Sequence, residues 1–318
     1  MTHRTEEVQG KASMINTTHL SLTPLAPFDY QSTAQSHGWM ELAPNAWDKE
    51  RHALQRVERL STGQVVLLDI TSTGSVEQPE MAIEVHHAGE LSPKDRREVT
   101  AAVGRIFRAD EELSEFYALC RERGGPWLKL TAGLGRVLRS PTVFEDAVKT
   151  ICTINIQWGG TKGMVKRLVN AFGEQYPGDP ALRAFPTPET MAAATPEAFA
   201  VAARLGFRTP YVHTLAQRIA SGELDLEALR NPALPTLELK KRLLSIKGVG
   251  NYAAATLLML LGRYDELAVD TAFRQFVGHK YFQGQYPSDK EAQALYADWG
   301  RWKYLAYWFD IWQSFRES

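Results

Sequence analysis

Residues 243–261 read LLSIKGVGNYAAATLLMLL, and the triplet Gly248-Val249-Gly250 inside them decides how the chain is read. An apolar helix end enters the triplet and an apolar, alanine-rich helix leaves it. Glycine tolerates positive φ, so two glycines around one apolar residue predict a tight turn with Val249 anchored in the core. The amides of Gly248, Gly250 and Asn251 then face outward at a helix start. Unsatisfied donors and the positive end of the helix dipole make such a place a ready phosphate site. Lys247 adds a cation beside it, and Ala253, Ala254 and Ala255 let the two helices pack closely. Taken by itself, the triplet also reads as a tight turn with no ligand.

Downstream, Arg263–Asp270 leads into a helix expected over Ala272–Tyr281. Val269 is apolar and expected to be buried, while Asp270 stands where a helix N-cap would, so from position alone it also reads as a cap. Upstream, from about Leu20 to His87, the segments are short. Gln64–Ile70 and Met81–Val85 are alternating and β-branched with Ser/Gly turn material between them, which predicts a small antiparallel sheet. Ser92-Pro93 opens a helix. Helical periodicity follows over Lys94–Phe107, Glu111–Arg123, Val143–Gln157, Thr161–Phe172, Pro188–Ala194, Pro196–Leu205, Thr209–Ser221, Leu237–Ser245, Tyr252–Leu261, Pro287–Trp299 and Lys303–Phe315. Ser140, Thr187, Thr195 and Ser288 are the expected caps. The fold class is α+β: a small N-terminal antiparallel β-sheet domain, then a mainly α-helical, two-lobed body with a helix-hairpin-helix motif. The expected division is a disordered tail at 1–19, the β domain at 20–91, a helical lobe from 92–140 with 283–318, and the hairpin core at 141–282.

The 318 residues, 44% hydrophobic and 23% charged, suit a globular protein with a sizeable core. A net charge of −1 does not exclude a nucleic-acid partner, because phosphate contacts need only a local basic surface. Lys162/Lys166/Arg167 and Lys240/Lys241/Arg242/Lys247 are two such runs. Cys120 and Cys152 lack metal-ligand spacing, which excludes a four-cysteine iron–sulfur cluster or a cysteine-built zinc site. Residues 1–26 have no apolar signal core, and the longest apolar run, Ala253–Leu261, is too short to span a bilayer. The expected location is cytoplasmic, nucleoid-associated in a bacterium or nuclear in a eukaryote, with no membrane partner.

The combination of Gly248-Val249-Gly250 with Val269-Asp270 twenty residues on resembles the HhH-GPD superfamily of DNA base-excision glycosylases. Lys247 replaces the family's usual proline. Thr142–Gly173, Phe185-Pro186-Thr187-Pro188 and Leu205–Val212 resemble further segments of the family, most closely its 8-oxoguanine branch. Trp299–Ala306 (WGRWKYLA) is similar to the ending of the alkyl-base branch.

The resemblance implies a monomeric enzyme that flips a damaged base out of double-stranded DNA. The backbone would be held by Lys247, Gly248, Val249, Gly250, Asn251 and Thr271, with a monovalent cation on the hairpin carbonyls as the one cofactor. Asp270 is the implied catalytic group, stabilising an oxocarbenium-like sugar and orienting water. Members with strand-cleaving activity carry a nucleophilic lysine where this chain has Tyr252, so simple hydrolysis is implied. The cysteine and methionine that sandwich 8-oxoguanine correspond to Thr256 and Leu260, which favours an alkylated substrate; an 8-oxoguanine enzyme with an altered pocket and a helix-hairpin-helix protein that binds DNA without catalysis are the alternatives. An aromatic Tyr252 would stack on a cationic base. Trp158, Trp299 and Trp302 are further pocket candidates, with core packing as the alternative. Asn155 and Gln157 are candidates for insertion beside the flipped base, or for capping a helix. Arg208 would touch the orphan base or its phosphate, or form a surface salt bridge.

Overall fold

The computed structural model describes residues 14–267, 269 and 271–316. A five-stranded antiparallel sheet has the order β1-β5-β4-β3-β2, from β1 (Ile15–Leu22), β2 (Asn45–Asp48), β3 (Ala53–Arg59), β4 (Val65–Ser72) and β5 (Met81–Ala88). Its strands alternate: Val66, Leu68, Ile70, Met81, Ile83 and Val85 are buried in one core with α2 (Pro93–Phe107), while the intervening positions face outward. The short helix α1 (Tyr30–Ala34) bridges from β1 to the rest of the sheet. β1 begins at Ile15, so residues 15–19 are edge strand and not the disordered tail expected there. Polar Asn16, Thr17 and Thr18 disguise the alternation, and pairing with β5 supplies the order that the sequence pattern does not.

The remaining chain is helical: α3 (Ser114–Arg123), α4 (Val143–Thr153), α5 (Trp158–Phe172), α6 (Pro188–Ala192), α7 (Pro196–Ala203), α8 (Thr209–Ala220), α9 (Thr236–Leu244), α10 (Asn251–Leu260), α11 (Thr271–Tyr281), α12 (Asp289–Ala294) and α13 (Lys303–Arg316). Ser92 caps α2 with a reciprocal bond from Asp95, and Thr187, Thr195 and Ser288 cap α6, α7 and α12 as expected. Thr142 and not Ser140 caps α4. A hairpin, β6 (Gln175–Tyr176) and β7 (Asp179–Arg183), interrupts the helices where the sequence showed no strand, and it covers Val57 and Val65 on the outer face of the sheet through Tyr176 and Ala184.

Cys120 and Cys152 are both buried and free, and burial pushes each thiol up to about 12. No helix among the described residues is long and apolar enough to cross a membrane.

His37 sits between Trp39 and Trp308, with its Nε2 bonded to the Leu138 carbonyl. Burial, with help from Arg108 and Lys149, lowers its pKa from 6.5 to about 4 although the Leu138 bond opposes the shift. The folded chain therefore resists a proton that the unfolded chain accepts, so stability present above pH 6.5 is lost as pH falls through 4. At 1.36 kcal/mol per pKa unit the ceiling is about 3 kcal/mol. Thermal melts from pH 7 to pH 4.5 should show falling Tm in the wild type and a shallower fall in His37→Phe. Equal slopes would remove His37 from the account.

Candidate nucleic-acid interface

The stretch around Gly248 folds as the sequence predicts, with one correction. Gly248 has φ +91°, and a Cβ there would lie 2.5 Å from Cδ2 of Tyr211 on α8. Gly250 has φ −90° and ψ −173°, an extended conformation open to any residue, and a Cβ there would meet nothing within 4 Å. One glycine therefore makes the turn. The other leaves the approach to the helix start uncovered. Val249 is buried and its amide donates to the Ile246 carbonyl at 3.0 Å, which closes the turn.

Gly250 is the N-cap of α10 and supplies no side-chain bond to the first-turn amides. The other end of α10 is tied down. The buried guanidinium of Arg108 donates to the carbonyls of Met259 and Leu260 at 2.7 Å each, and Arg139 reaches Leu260 at 3.2 Å. Two cations on the carbonyl end neutralise the negative pole of a helix buried from Ala253 to Leu260. The amide end is left as the pole open to an anion. Lys247 and Asn251 stand exposed beside it.

A surface groove of 490 Å³ runs along the hairpin, walled by Lys247–Tyr252, Leu244, Ile154, Phe207 and Tyr211. Phe207 is 53% exposed, Ile156 42% and Tyr252 37%, so apolar groups and amide donors share one surface. Sequence reading missed Ile154, Phe207 and Tyr211 as site residues. The signal was the resemblance of the segments 142–173, which holds Ile154, and 205–212, which holds Phe207 and Tyr211.

Gly248→Ala combines strain at positive φ with displacement of Tyr211, at roughly 1–3 kcal/mol each. A loss of about 2–6 kcal/mol in a urea melt is expected, with Gly250→Ala nearly neutral in stability. Equal melts for the two variants would contradict the assignment.

Asn155 adopts a left-handed φ of +50° and ends α4 early, so the helix expected to Gln157 stops at Thr153. A branched tip of Asn155, Ile156 and Gln157 projects from the surface beside Ile154. Trp158 begins α5 and packs on Gly38, where a Cβ would sit 2.2 Å from the ring, and its Nε1 donates to Glu41 at 3.2 Å. It joins the loop to the N-terminal segment instead of lining the hairpin groove.

Four further candidates are buried. Arg208 is buried, with Nη2 donating to the Ile154 carbonyl and the guanidinium 4.2 Å from the Phe207 ring; it shapes the groove from behind and has no surface role. Thr256 is buried with its hydroxyl donating to the Tyr252 carbonyl at 3.1 Å. Trp299 packs against Trp127 at 4.6 Å and Trp302 stacks on Tyr264 at 5.7 Å, both in the core with Phe116. Their size and burial, not a pocket, explain them.

Asp270, the expected catalytic group, lies outside the described residues. The described chain before it is held. Arg263 donates to the carbonyls of Asn231, Pro232 and Leu234, buried Tyr264 bonds Glu111, and Leu267 and Val269 pack on the core. Thr271 is exposed and opens α11.

Comparison with known proteins places this architecture. The fold is shared with a 3-methyladenine DNA-glycosylase from Archaeoglobus fulgidus at a TM-score of 0.71, with 20% identity over 91% of this chain and 97% of the other. An 8-oxoguanine glycosylase/lyase from Clostridium acetobutylicum shares it at 0.63, with 19% identity over 94% and 100%. In sequence, a DNA-3-methyladenine glycosylase of Bacillus subtilis is 29% identical over 174 residues, 53% of this chain; the chain spans 56% of that relative's length. Residues 148–301, which hold the loop tip, the hairpin and the segment through Asp270, match the model of the HhH-GPD superfamily base excision DNA repair protein. This region of the chain, residues 148–301, is similar to the HhH-GPD superfamily.

Proposed function

We propose that the protein is a monofunctional DNA N-glycosylase of base excision repair, acting as a monomer on double-stranded DNA and removing an alkylated base. The observation that carries this reading is the open amide end of α10, with its carbonyl end neutralised by Arg108 and Arg139 and Lys247 beside it. A DNA phosphate fits that end. Fixing the backbone at the hairpin leaves the exposed tip Asn155–Gln157 to fill the space a flipped base vacates. Hairpin carbonyls suit a monovalent cation as uncharged oxygen donors; that of Ile246 accepts the Val249 amide and keeps a second lone pair. Such a cation would add positive charge beside the same phosphate.

The chemistry rests on Asp270 and Tyr252. Departure of the base leaves positive charge on the sugar, which a carboxylate from Asp270 stabilises while orienting the attacking water. Tyr252 occupies the position of the lysine nucleophile in strand-cleaving relatives, and a phenol cannot form a Schiff base with the sugar. Its ring, 37% exposed in the groove, can instead stack on a cationic alkylated base for roughly 0.5–2 kcal/mol. The matched relative named for 3-methyladenine supports the alkylated class.

The test is a panel of duplexes carrying alkylated bases, deaminated bases or 8-oxoguanine, with and without alkali after incubation. The reading expects strand breaks only after alkali and only for alkylated bases. Breaks without alkali, or a borohydride-trapped adduct, would overturn the monofunctional assignment, and preference for 8-oxoguanine would overturn the substrate class.

A further inference from the structure

The outer face of the N-terminal sheet, away from the hairpin groove, gathers chemistry that glycosidic hydrolysis does not use. In the antiparallel register Gln55, Asp69, Glu84 and His19 stand opposite one another across β3, β4, β5 and β1, and His86 lies two residues along β5 on the same face as Glu84. Asp69, Glu84 and His86 bring ligand atoms within 4.8 Å of one another. His19 Nδ1 is a further 4.0 Å from Glu84 Oε1.

Two independent details single this group out from an ordinary polar surface. Asp69 is 96% buried: its Oδ2 accepts from Arg51 and Gln55, whereas its Oδ1 is buried with no hydrogen-bond partner. An orphaned carboxylate oxygen costs free energy unless something cationic meets it. His86, for its part, is oriented. Thr17 Oγ1 holds Nδ1 at 3.0 Å, and Nε2 is turned to Glu84 Oε2 at 4.0 Å. Fixing one ring nitrogen so that the other faces the ion is how metal-binding histidines are commonly positioned.

We propose that Asp69, Glu84 and His86 form a binding site for a divalent transition-metal ion of the zinc class, with His19 or water as the remaining ligand. Imidazole with two carboxylates is a donor set zinc accepts, at about 2.0–2.2 Å per bond. Glu84 and His86 are part-exposed and can close the remaining gap, while the paired strands hold Asp69 still. Arg51 is the competitor, since its guanidinium already bonds Asp69, but it is half-exposed and can swing out. The bound ion would tie β4 to β5, and through His19 to the edge strand β1.

The test titrates the chelator-stripped full-length protein with zinc by calorimetry and with cobalt by visible absorption, magnesium serving as control. The proposal expects one saturable equivalent of zinc, a low-symmetry cobalt spectrum and a rise in Tm on zinc addition. It expects at least a tenfold affinity loss in His86→Ala and in Glu84→Gln. Thr17→Val keeps every ligand and should weaken binding, and Arg51→Ala should tighten it. Circular dichroism on each variant separates loss of the ion from loss of the fold. No zinc binding by the wild type, or unchanged affinity in folded His86→Ala and Glu84→Gln, overturns the proposal.

Discussion

Asp270→Asn is expected to cut the rate of base release about 100- to 1,000-fold while DNA binding stays within a few-fold of wild type, on the scale seen when one preorganised charge-stabilising group is removed. The asymmetry follows from the division of labour. In the proposed reading the phosphate grip belongs to the amide end of α10 and Lys247, which the substitution does not touch. Asparagine keeps the size and capping ability of the side chain and removes only its charge. The described chain before it is held, by Arg263 on three carbonyls and Val269 against the core. Single-turnover release and an anisotropy titration on the same lesion duplex measure the two quantities. A variant that loses binding in proportion to rate would make Asp270 a cap and not a catalytic group.

Glu145→Gln is expected to destabilise the protein by roughly 3–5 kcal/mol, the usual result of removing one partner from a buried charge cluster. Glu145 lies on the first turn of α4 with its carboxylate held by Arg56 of β3 at 3.0 and 2.7 Å, and Lys149 is 2.6 Å away. Arg56 also bonds Glu58 at 2.5 Å and Asn45 at 3.0 Å. Arg56 occupies an inward position of β3 where alternation would place an aliphatic residue, so the sheet meets the helical body through charge. Burial alone would raise the Glu145 pKa, but Arg56 and Lys149 outweigh it and hold the carboxyl at about 2. A pKa depressed from 4.5 contributes stability above pH 4.5 that is lost as pH falls towards 2, so the gap between variant and wild type should narrow over that window. Replacing Arg56, Glu58, Glu145 and Lys149 together by Met, Leu, Leu and Met removes the charges of this cluster, and should be far less damaging than the single change. A urea melt showing less than about 1 kcal/mol for Glu145→Gln would mean the charges are not coupled.

Local signals in the sequence carried the elements, and contacts distant in sequence decided what they became. Capping chemistry at Ser92, Thr187, Thr195 and Ser288 and the glycine at 248 are each written within a few residues, and each appears in the fold. Asn155 could not be seen as a helix breaker, because its left-handed backbone is stabilised by Arg208 reaching the Ile154 carbonyl from more than fifty residues away. The same separation hides Arg56–Glu145 and the capping of α10 by Arg108. Tryptophans were the weakest guide. Trp299 and Trp302 offer the same rings to a base or to Phe116, and only tertiary packing chooses between them.

The most direct test of the account is chromatography of free bases released from methylated duplex DNA by the purified protein, with the strands analysed before and after alkali. The account predicts free methylated purine in the supernatant and an intact abasic strand that breaks only in alkali. Tight binding of the duplex with no base released would contradict it, and would leave the hairpin as a DNA grip without an enzyme attached.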